Sequence, residues 1–231
     1  MNSSEQKFRI LMLITSARLA KEATDLFNAE DVPIHYRLVG SGTAPSEIMD
    51  ILGLGSTEKD IFLSLLPKNF ADGMLKKLRK ELKLGSANSG IAFTIPMTSA
   101  NNFVLKRLGD AAEDYSRRSG ERKVENTMTE SKYTMVAAIV DQGHGEAVMA
   151  AARSEGARGG TVIHARGTAN SEAVKKFEIP VSPEKEMVMI LVPTEIKDDI
   201  LHALYRAVGL KTPGQGIAFS MPVDAVVGLS V

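Results

Sequence analysis

Gly90-Ile91-Ala92-Phe93-Thr94-Ile95-Pro96-Met97 returns near the end of the chain as Gly216-Ile217-Ala218-Phe219-Ser220-Met221-Pro222-Val223. The two blocks lie 126 residues apart, and the residues before them align as well. Pro67 meets Pro193 and Glu58-Lys59 meets Glu184-Lys185. At a shift of 125, Gly42-Thr43 meets Gly167-Thr168, Ile14 meets Ile139 and Phe8 meets Tyr133. A period of this length marks a duplicated domain, not a short solenoid unit. The expected division is a first domain over residues 1–98, a charged, partly helical linker over 99–132, and a second domain over 133–231.

Each half runs through the same elements. A β-rich run opens it, at Phe8 to Ile14 and at Tyr133 to Val140. Apolar residues at helical spacing follow: Leu19, Ala23, Leu26 and Phe27, then Ala147, Val148, Ala151 and Ala152. A second strand is expected over Ile34 to Val39 and Gly160 to Ala165, and a third over Asp60 to Leu66 and Glu186 to Val192. Pro67 and Pro193 precede the second helices, where a fixed φ is tolerated. The repeated block forms the last strand. The order β-α-β-β-α-β predicts an α+β fold: two tandem ferredoxin-like plaits, each an antiparallel sheet with both helices on one face. Runs such as Met187 to Val192 are apolar on both faces, so sheet-to-sheet packing is expected. In the joining segment, Phe103, Leu105 and Leu108 predict a helix with some apolar surface. From Asp110 to Lys132 the segment reads as a solvated connector, with Asp114 and Arg118 at the spacing of a helix ion pair.

The formal net charge is zero, which argues against a nucleic-acid footprint and against a polybasic membrane contact. The chain has no cysteine, so disulfides, thiolate metal sites and cysteine nucleophiles are excluded. The apolar start from Phe8 to Ile14 is too short for a membrane helix, so a cytoplasmic protein that is not membrane-embedded is expected. Aromatic residues are only 5% of the chain, so aliphatic side chains must build most of the core. Neither a Gly-x-Ser-x-Gly elbow nor a Walker loop is present, and no catalytic residue is assigned. Asp141, His144 and Glu146 lie close together in a glycine-rich turn, but their spacing is not that of a metal site and no metal is expected.

The second half carries Gly156-Ala157-Arg158-Gly159-Gly160-Thr161, then His164-Ala165-Arg166-Gly167-Thr168, then Thr212-Pro213-Gly214-Gln215-Gly216-Ile217-Ala218-Phe219 and Pro222-Val223. In these motifs it resembles the PII signal-transduction (nitrogen regulatory) family over nearly all of residues 133–228, and more faintly over 8–97. The resemblance implies a regulator rather than an enzyme. It implies a homotrimer with nucleotide (ATP, ADP or AMP) as effector, and a loop after the second strand that engages a regulated enzyme or transporter. By position, Thr161 would contact adenine, Gly167 would sit at the loop base, and Gly214 and Gly216 would place main-chain N–H groups against phosphates. With Arg166, Thr168 and Gln215 they make the candidate ligand site.

The chain departs from that pattern at two cationic positions. Ile217 stands where the family has a lysine after the glycine turn, and the tail ends Gly228-Leu229-Ser230-Val231 in place of arginines. Arg166, Lys175 and Lys176 are the cations near the expected site. In the first half Tyr36 stands for Thr161 and Asn88 for Gly214, so its site is expected to be degenerate. Each motif also has a plain structural reading: the glycines as a helix-to-strand turn tolerating positive φ, Thr161 as a strand residue. The alternative function is a ligand-free structural or oligomerisation module. A dimer is the alternative assembly, because a fused pair already covers some sheet. Partner contacts are expected in residues 41–57 and 168–183.

Overall fold

The computed structural model describes residues 8–43, 58–86, 89–97, 100, 102–119, 132–166 and 184–229, without the side chains of 102, 103 and 166. In chain order the elements are β1 (Phe8–Ser16), α1 (Ala20–Ala29), β2 (Ile34–Gly42), β3 (Glu58–Pro67), α2 (Lys68–Glu81), β4 (Gly90–Pro96), α3 (Asn102–Ser119), β5 (Tyr133–Asp141), α4 (Gly145–Ser154), β6 (Thr161–Arg166), β7 (Glu184–Pro193), α5 (Lys197–Val208), β8 (Ile217–Val223) and β9 (Ala225–Val227). Short 3-10 turns lead into α1 and α5. The chain forms two compact units. One comprises Met1–Leu38, Lys59–Lys132 and Pro222–Val231; the other comprises Val39–Glu58 and Tyr133–Met221.

The first unit has the strand order β2-β3-β1-β4-β9. β1 is central and antiparallel to both neighbours, with Met12 opposite Leu63 on β3 and opposite Phe93 on β4. Alternation along the strands sends Leu11, Leu13, Phe62, Leu66 and Ala92 into one core with the helices. Helix α2 contributes Phe70, Ala71, Met74, Leu75 and Leu78, a stripe at helical spacing, and carries Arg79 and Lys80 in its last turn, where they suit the helix dipole. Phe27 stacks on Phe62 at 5.4 Å between ring centroids. Burying each such side chain stabilises the unit by roughly 1.5–3 kcal/mol. On the opposite sheet face Met12, Ile14, Ile61, Phe93 and Ile95 are buried too, as the two-sided apolar pattern requires.

Two features of this unit differ from the sequence reading. Helix α3 is not a bare connector: Leu108 is fully buried and Tyr115 stacks on Phe70 at 4.4 Å. Arg118 does not pair with Asp114. It donates to the Asp31 carboxylate at 2.9 Å and to the Glu30 carbonyl at 3.2 Å, while Arg117 takes Asp114 at 3.3 Å. Arg118 stays exposed, and at the end of α1 it reaches two acceptors at once, the Asp31 carboxylate and the Glu30 carbonyl, where Asp114 would offer only one side chain. The second feature is β9. The strand pairs antiparallel with β4, Val226 opposite Phe93, and Ala225 and Val227 pack on the core. Asp224 fixes its start. Arg9 Nε donates to Asp224 Oδ2 at 2.5 Å, Thr94 Oγ1 donates to Oδ1 at 2.5 Å, and the Asp224 N–H donates to the Thr94 carbonyl at 3.1 Å. The C-terminal segment thus completes the first unit.

The second unit has the order β8-β5-β7-β6. β5 and β7 pair antiparallel from Tyr133 opposite Pro193 to Asp141 opposite Lys185, and β6 pairs with β7 from Thr161 opposite Met189 to Arg166 opposite Glu184. The outer side of β6 is taken by the end of β2, Gly42 opposite Thr161 and Ser41 opposite Val162. Thr43 extends this contact: its N–H reaches the Gly160 carbonyl at 3.0 Å, and its hydroxyl accepts the Gly160 N–H at 2.8 Å. The core is aliphatic: Val136, Ala138, Val148, Met149, Val188, Ile190, Ile200, Leu204 and Val208 are buried together. In each unit the first four strands follow the order 4-1-3-2 of an antiparallel ferredoxin-like plait, as the sequence predicts.

Candidate functional site at the loop base of the second unit

β6 ends and β7 begins at one end of the sheet, joined by residues 167–183, which lie outside the described residues. The end of β5, the start of α4 and the turn before β8 meet at the same end. Two adjacent main-chain donors tie these pieces together. The Asp141 N–H donates to the Gly214 carbonyl at 2.9 Å, and the Gln142 N–H donates to the Glu184 carbonyl at 3.2 Å. The glycine turn and the exit of the loop therefore hang on consecutive residues at the end of β5. The sequence reading named Gly214 but not Asp141 or Gln142 in this part, because a backbone tie leaves no trace in side-chain identity.

The turn closes through local bonds. Gln215 N–H donates to the Thr212 carbonyl at 3.1 Å, and Gly216 N–H to the Val208 carbonyl at 2.7 Å. Positive φ falls on Gln215, at 44°, and on neither glycine of the motif. This corrects the plain reading that the glycines serve a left-handed backbone. Gly216 is small because of close approach: a Cβ there would stand 2.5 Å from the Val208 carbonyl oxygen and 2.7 Å from Val140 Cγ1. At Gly214 the nearest atoms would be Val208 Cβ at 3.3 Å and His144 Cδ2 at 3.5 Å, so the constraint is milder. Thr161 is buried on β6 between β7 and the end of β2. Arg166 closes β6 opposite Glu184. Gly167 and Thr168 lie outside the described residues, as do Lys175 and Lys176 and nearly all of residues 41–57 and 168–183. Arg166, Gly214, Gln215 and Gly216 belong to the elements of this sheet end or lead into them; Thr161 does not, because it starts β6 opposite Met189, five residues from Arg166.

Among the described residues, several charges here are already partnered. Lys185 Nζ donates to Asp141 Oδ1, and both side chains are largely buried. Glu186, itself buried, accepts the Gly145 N–H with Oε2 at 2.8 Å and so occupies the electropositive start of α4. His144 shares a 3.2 Å contact between Nδ1 and the Asp141 carbonyl, and Glu146 pairs with Arg153 at 3.5 Å. Asp141, His144 and Glu146 are thus drawn to separate partners, and among the described residues no group of three acidic or histidine side chains could hold a metal. Ile217, at the family's lysine position, is 47% exposed. The repeat carries a signal for Glu186: its counterpart Asp60 is an acidic residue at the same place in the third strand, also buried, and paired with Arg37 Nε at 2.5 Å.

A plait whose second and third strands are joined by a long segment, with a glycine turn fastened beside that segment's base, defines the class: a ferredoxin-like α+β domain. Residues 133–230 match the family model described as Nitrogen regulatory protein P-II. Similar solved structures include Arabidopsis thaliana PII bound to citrate, at 23% identity over 42% of this chain and 81% of that one, with a TM-score of 0.33. Another is the B. subtilis GlnK-ATP complex, at 14% identity over 44% of this chain and 97% of that one, with a TM-score of 0.32. An unknown protein from Galdieria sulphuraria aligns over 94% of this chain and 98% of its own, at 10% identity and a TM-score of 0.30. A search of curated proteins gives no match. Among the described residues no helix is long and apolar enough to cross a membrane.

Proposed function

We propose that the chain is a non-enzymatic, cytoplasmic regulator that binds a small effector at the loop base of its P-II domain. Binding there alters the segment 167–183 and, through it, affinity for a regulated enzyme or transporter. The site comprises Thr161, Arg166, Gly167, Thr168, Gly214, Gln215 and Gly216, and the effector is an adenine nucleotide or a related metabolite. The family match supports a regulatory role. The observation that carries the reading is the pair of donors at Asp141 and Gln142, which fasten the glycine turn and the loop exit to one strand end. A ligand touching either piece acts on a shared support, so its preference for one loop state shifts the population of that state. The expected assembly is a homotrimer.

The partnered charges favour a less anionic effector than ATP. Lys185 is neutralised by Asp141, and Glu186 already holds the start of α4. Titration calorimetry with AMP, ADP and ATP tests this, with AMP expected to bind at least as tightly as ATP. Placing the family's cation back with Ile217→Lys should improve ATP relative to AMP by about tenfold, or 1.4 kcal/mol. No heat and no thermal shift with any of the three would favour the second reading, a ligand-free structural or oligomerisation module. The Lys185–Asp141 ion pair and the Glu186 bond to the Gly145 N–H favour that module, because they satisfy these groups without a ligand.

A further inference from the structure

Helix α3 encloses space as well as covering core. A cavity of about 560 Å³ opens between α3, the turn from α1 into β2 and the start of α2, all within the first unit. That volume is in the range of small-molecule sites. Its walls are held before any ligand arrives: Leu108 is fully buried, Tyr115 stacks on Phe70 at 4.4 Å, and Arg118 ties α3 to the end of α1. Pro33, Phe70 and Ala111 supply the apolar surface. The rest is lined by three arginines and three aspartates, so the formal charges balance. Four of these six satisfy one another. Arg117 pairs with Asp114 at 3.3 Å, and Arg118 pairs with Asp31 at 2.9 Å. Arg107 and Asp110 are left over. Both are exposed, and among the described residues neither side chain has an ion pair or a hydrogen bond. They stand three positions apart on α3, within the spacing of a helical pair, but with the cation first, which is the less favourable order. The cavity thus presents one unsatisfied cation and one unsatisfied anion side by side, next to an apolar wall.

We propose that this cavity binds a free α-amino acid with an aromatic side chain. Its carboxylate goes to Arg107, whose planar guanidinium matches two carboxylate oxygens. Its ammonium goes to Asp110. Its ring lies against Pro33, Ala111 and Phe70, where an aromatic edge can meet an aromatic face. The balance of charge selects a zwitterion over simpler ligands. A plain carboxylate would meet the Asp110 charge, and a plain amine would meet the Arg107 charge; a molecule carrying both signs avoids each repulsion. A phosphorylated ligand would bring two negative charges to a lining with one free cation. Because Arg107 and Asp110 are exposed, solvent screens both contacts, and the expected Kd is on the order of 0.1–1 mM. That is the range of a metabolite sensed by its abundance. The site shares no residue with the loop base of the second unit, so the chain would carry two effector sites of different chemistry.

Ligand-observed NMR titration of the full chain tests this with three probes. L-phenylalanine carries both charges, 3-phenylpropionate lacks the ammonium and phenethylamine lacks the carboxylate. L-phenylalanine should bind saturably, and each of the other two at least about threefold more weakly. Two substitutions then assign the charges. Arg107→Gln should weaken L-phenylalanine by a similar factor and leave phenethylamine no weaker than before. Asp110→Asn should weaken L-phenylalanine and leave 3-phenylpropionate no weaker than before. Both side chains are exposed and unpaired, so neither substitution should move the unfolding midpoint, and lost binding then reflects the site and not the fold. No saturable binding of L-phenylalanine, equal binding of the three probes, or an unchanged affinity in Arg107→Gln and Asp110→Asn would each overturn the proposal. Nucleotide titrations of the two variants should match those of the wild type, so this site and the loop-base site fail or stand separately.

Discussion

Gly73 lies in the middle of α2, where glycine costs about 1 kcal/mol relative to alanine. The reason is Tyr115: a Cβ at residue 73 would stand 1.9 Å from its Oη. The glycine lets the Tyr115 ring lie on Phe70 and anchors α3. Gly73→Ala should therefore lower stability by about 1–2 kcal/mol in urea denaturation, in spite of its better helix propensity. Pairing it with Tyr115→Phe, which removes the closest atom, should recover part of that loss. The two glycines of the loop-base turn divide in the same way. Gly216→Ala drives a Cβ into backbone and should cost about 2–3 kcal/mol. Gly214→Ala brings a Cβ to 3.3 Å from Val208 Cβ, a tight contact that a small shift relieves, and should cost under about 1 kcal/mol. If the turn binds an effector, Gly214→Ala should weaken the effector's affinity at nearly unchanged stability. Equal loss of stability in both variants would mark the motif as packing alone.

Among the elements, β9 shows what alternation and spacing leave unread. Residues 225–227 are too few to show a period, and their partner β4 lies about 130 residues earlier in the chain, so only the folded unit brings Asp224 to Arg9 and Thr94. Helix α3 was legible as a helix from Leu105 and Leu108, but its burial depends on Tyr115 meeting Phe70, a contact that no helical pattern states. By contrast, the eight core strands and four plait helices were legible, because each carries its own period and the duplication supplies a second copy for comparison. The charge-assisted bonds at Asp224 are each short and partly shielded. Asp224→Ala should cost about 2 kcal/mol and increase hydrogen exchange at Ala225 to Val227 and along β4. Asp72 adds a pH dependence to the same corner. Burial raises its carboxyl above the ordinary 3.8, and the Asp224 charge raises it further against the pull of Lys68, Arg9 and Lys76. An acid with a raised native pKa binds its proton more tightly when folded. Its contribution to stability is therefore complete below 3.8 and is lost as pH rises through the raised value. Asp72→Asn does not titrate, so its melting temperature should gain on the wild type over that rise. A constant difference between the two proteins at every pH would exclude the effect.

At the scale of the molecule, duplication has not produced two independent domains. The first unit takes Pro222–Val231 from the far end of the chain, and the second takes Val39–Glu58 from the first repeat. Cutting the chain between repeats would leave each half without a segment its fold uses. A fragment of residues 1–132 loses β9 and with it Ala225, Val227 and the Asp224 bonds. It should be less stable than the first unit of the full chain by on the order of 3 kcal/mol, from apolar burial and charge-assisted bonds together. A fragment of residues 133–231 loses the strand beside Thr161, where Gly42 and Thr43 pair, and so opens the outer edge of β6. Co-expressed as separate pieces, the two fragments should bind one another, and each should protect the other from proteolysis, because each carries the strand the other lacks. Two fragments that melt like the intact chain and ignore one another in a pull-down would mean that these exchanged segments are decoration. The exchange of segments also bears on the first repeat: a copy that carries Tyr36 and Asn88 where the second carries Thr161 and Gly214 still supplies the β2 end beside the buried Thr161.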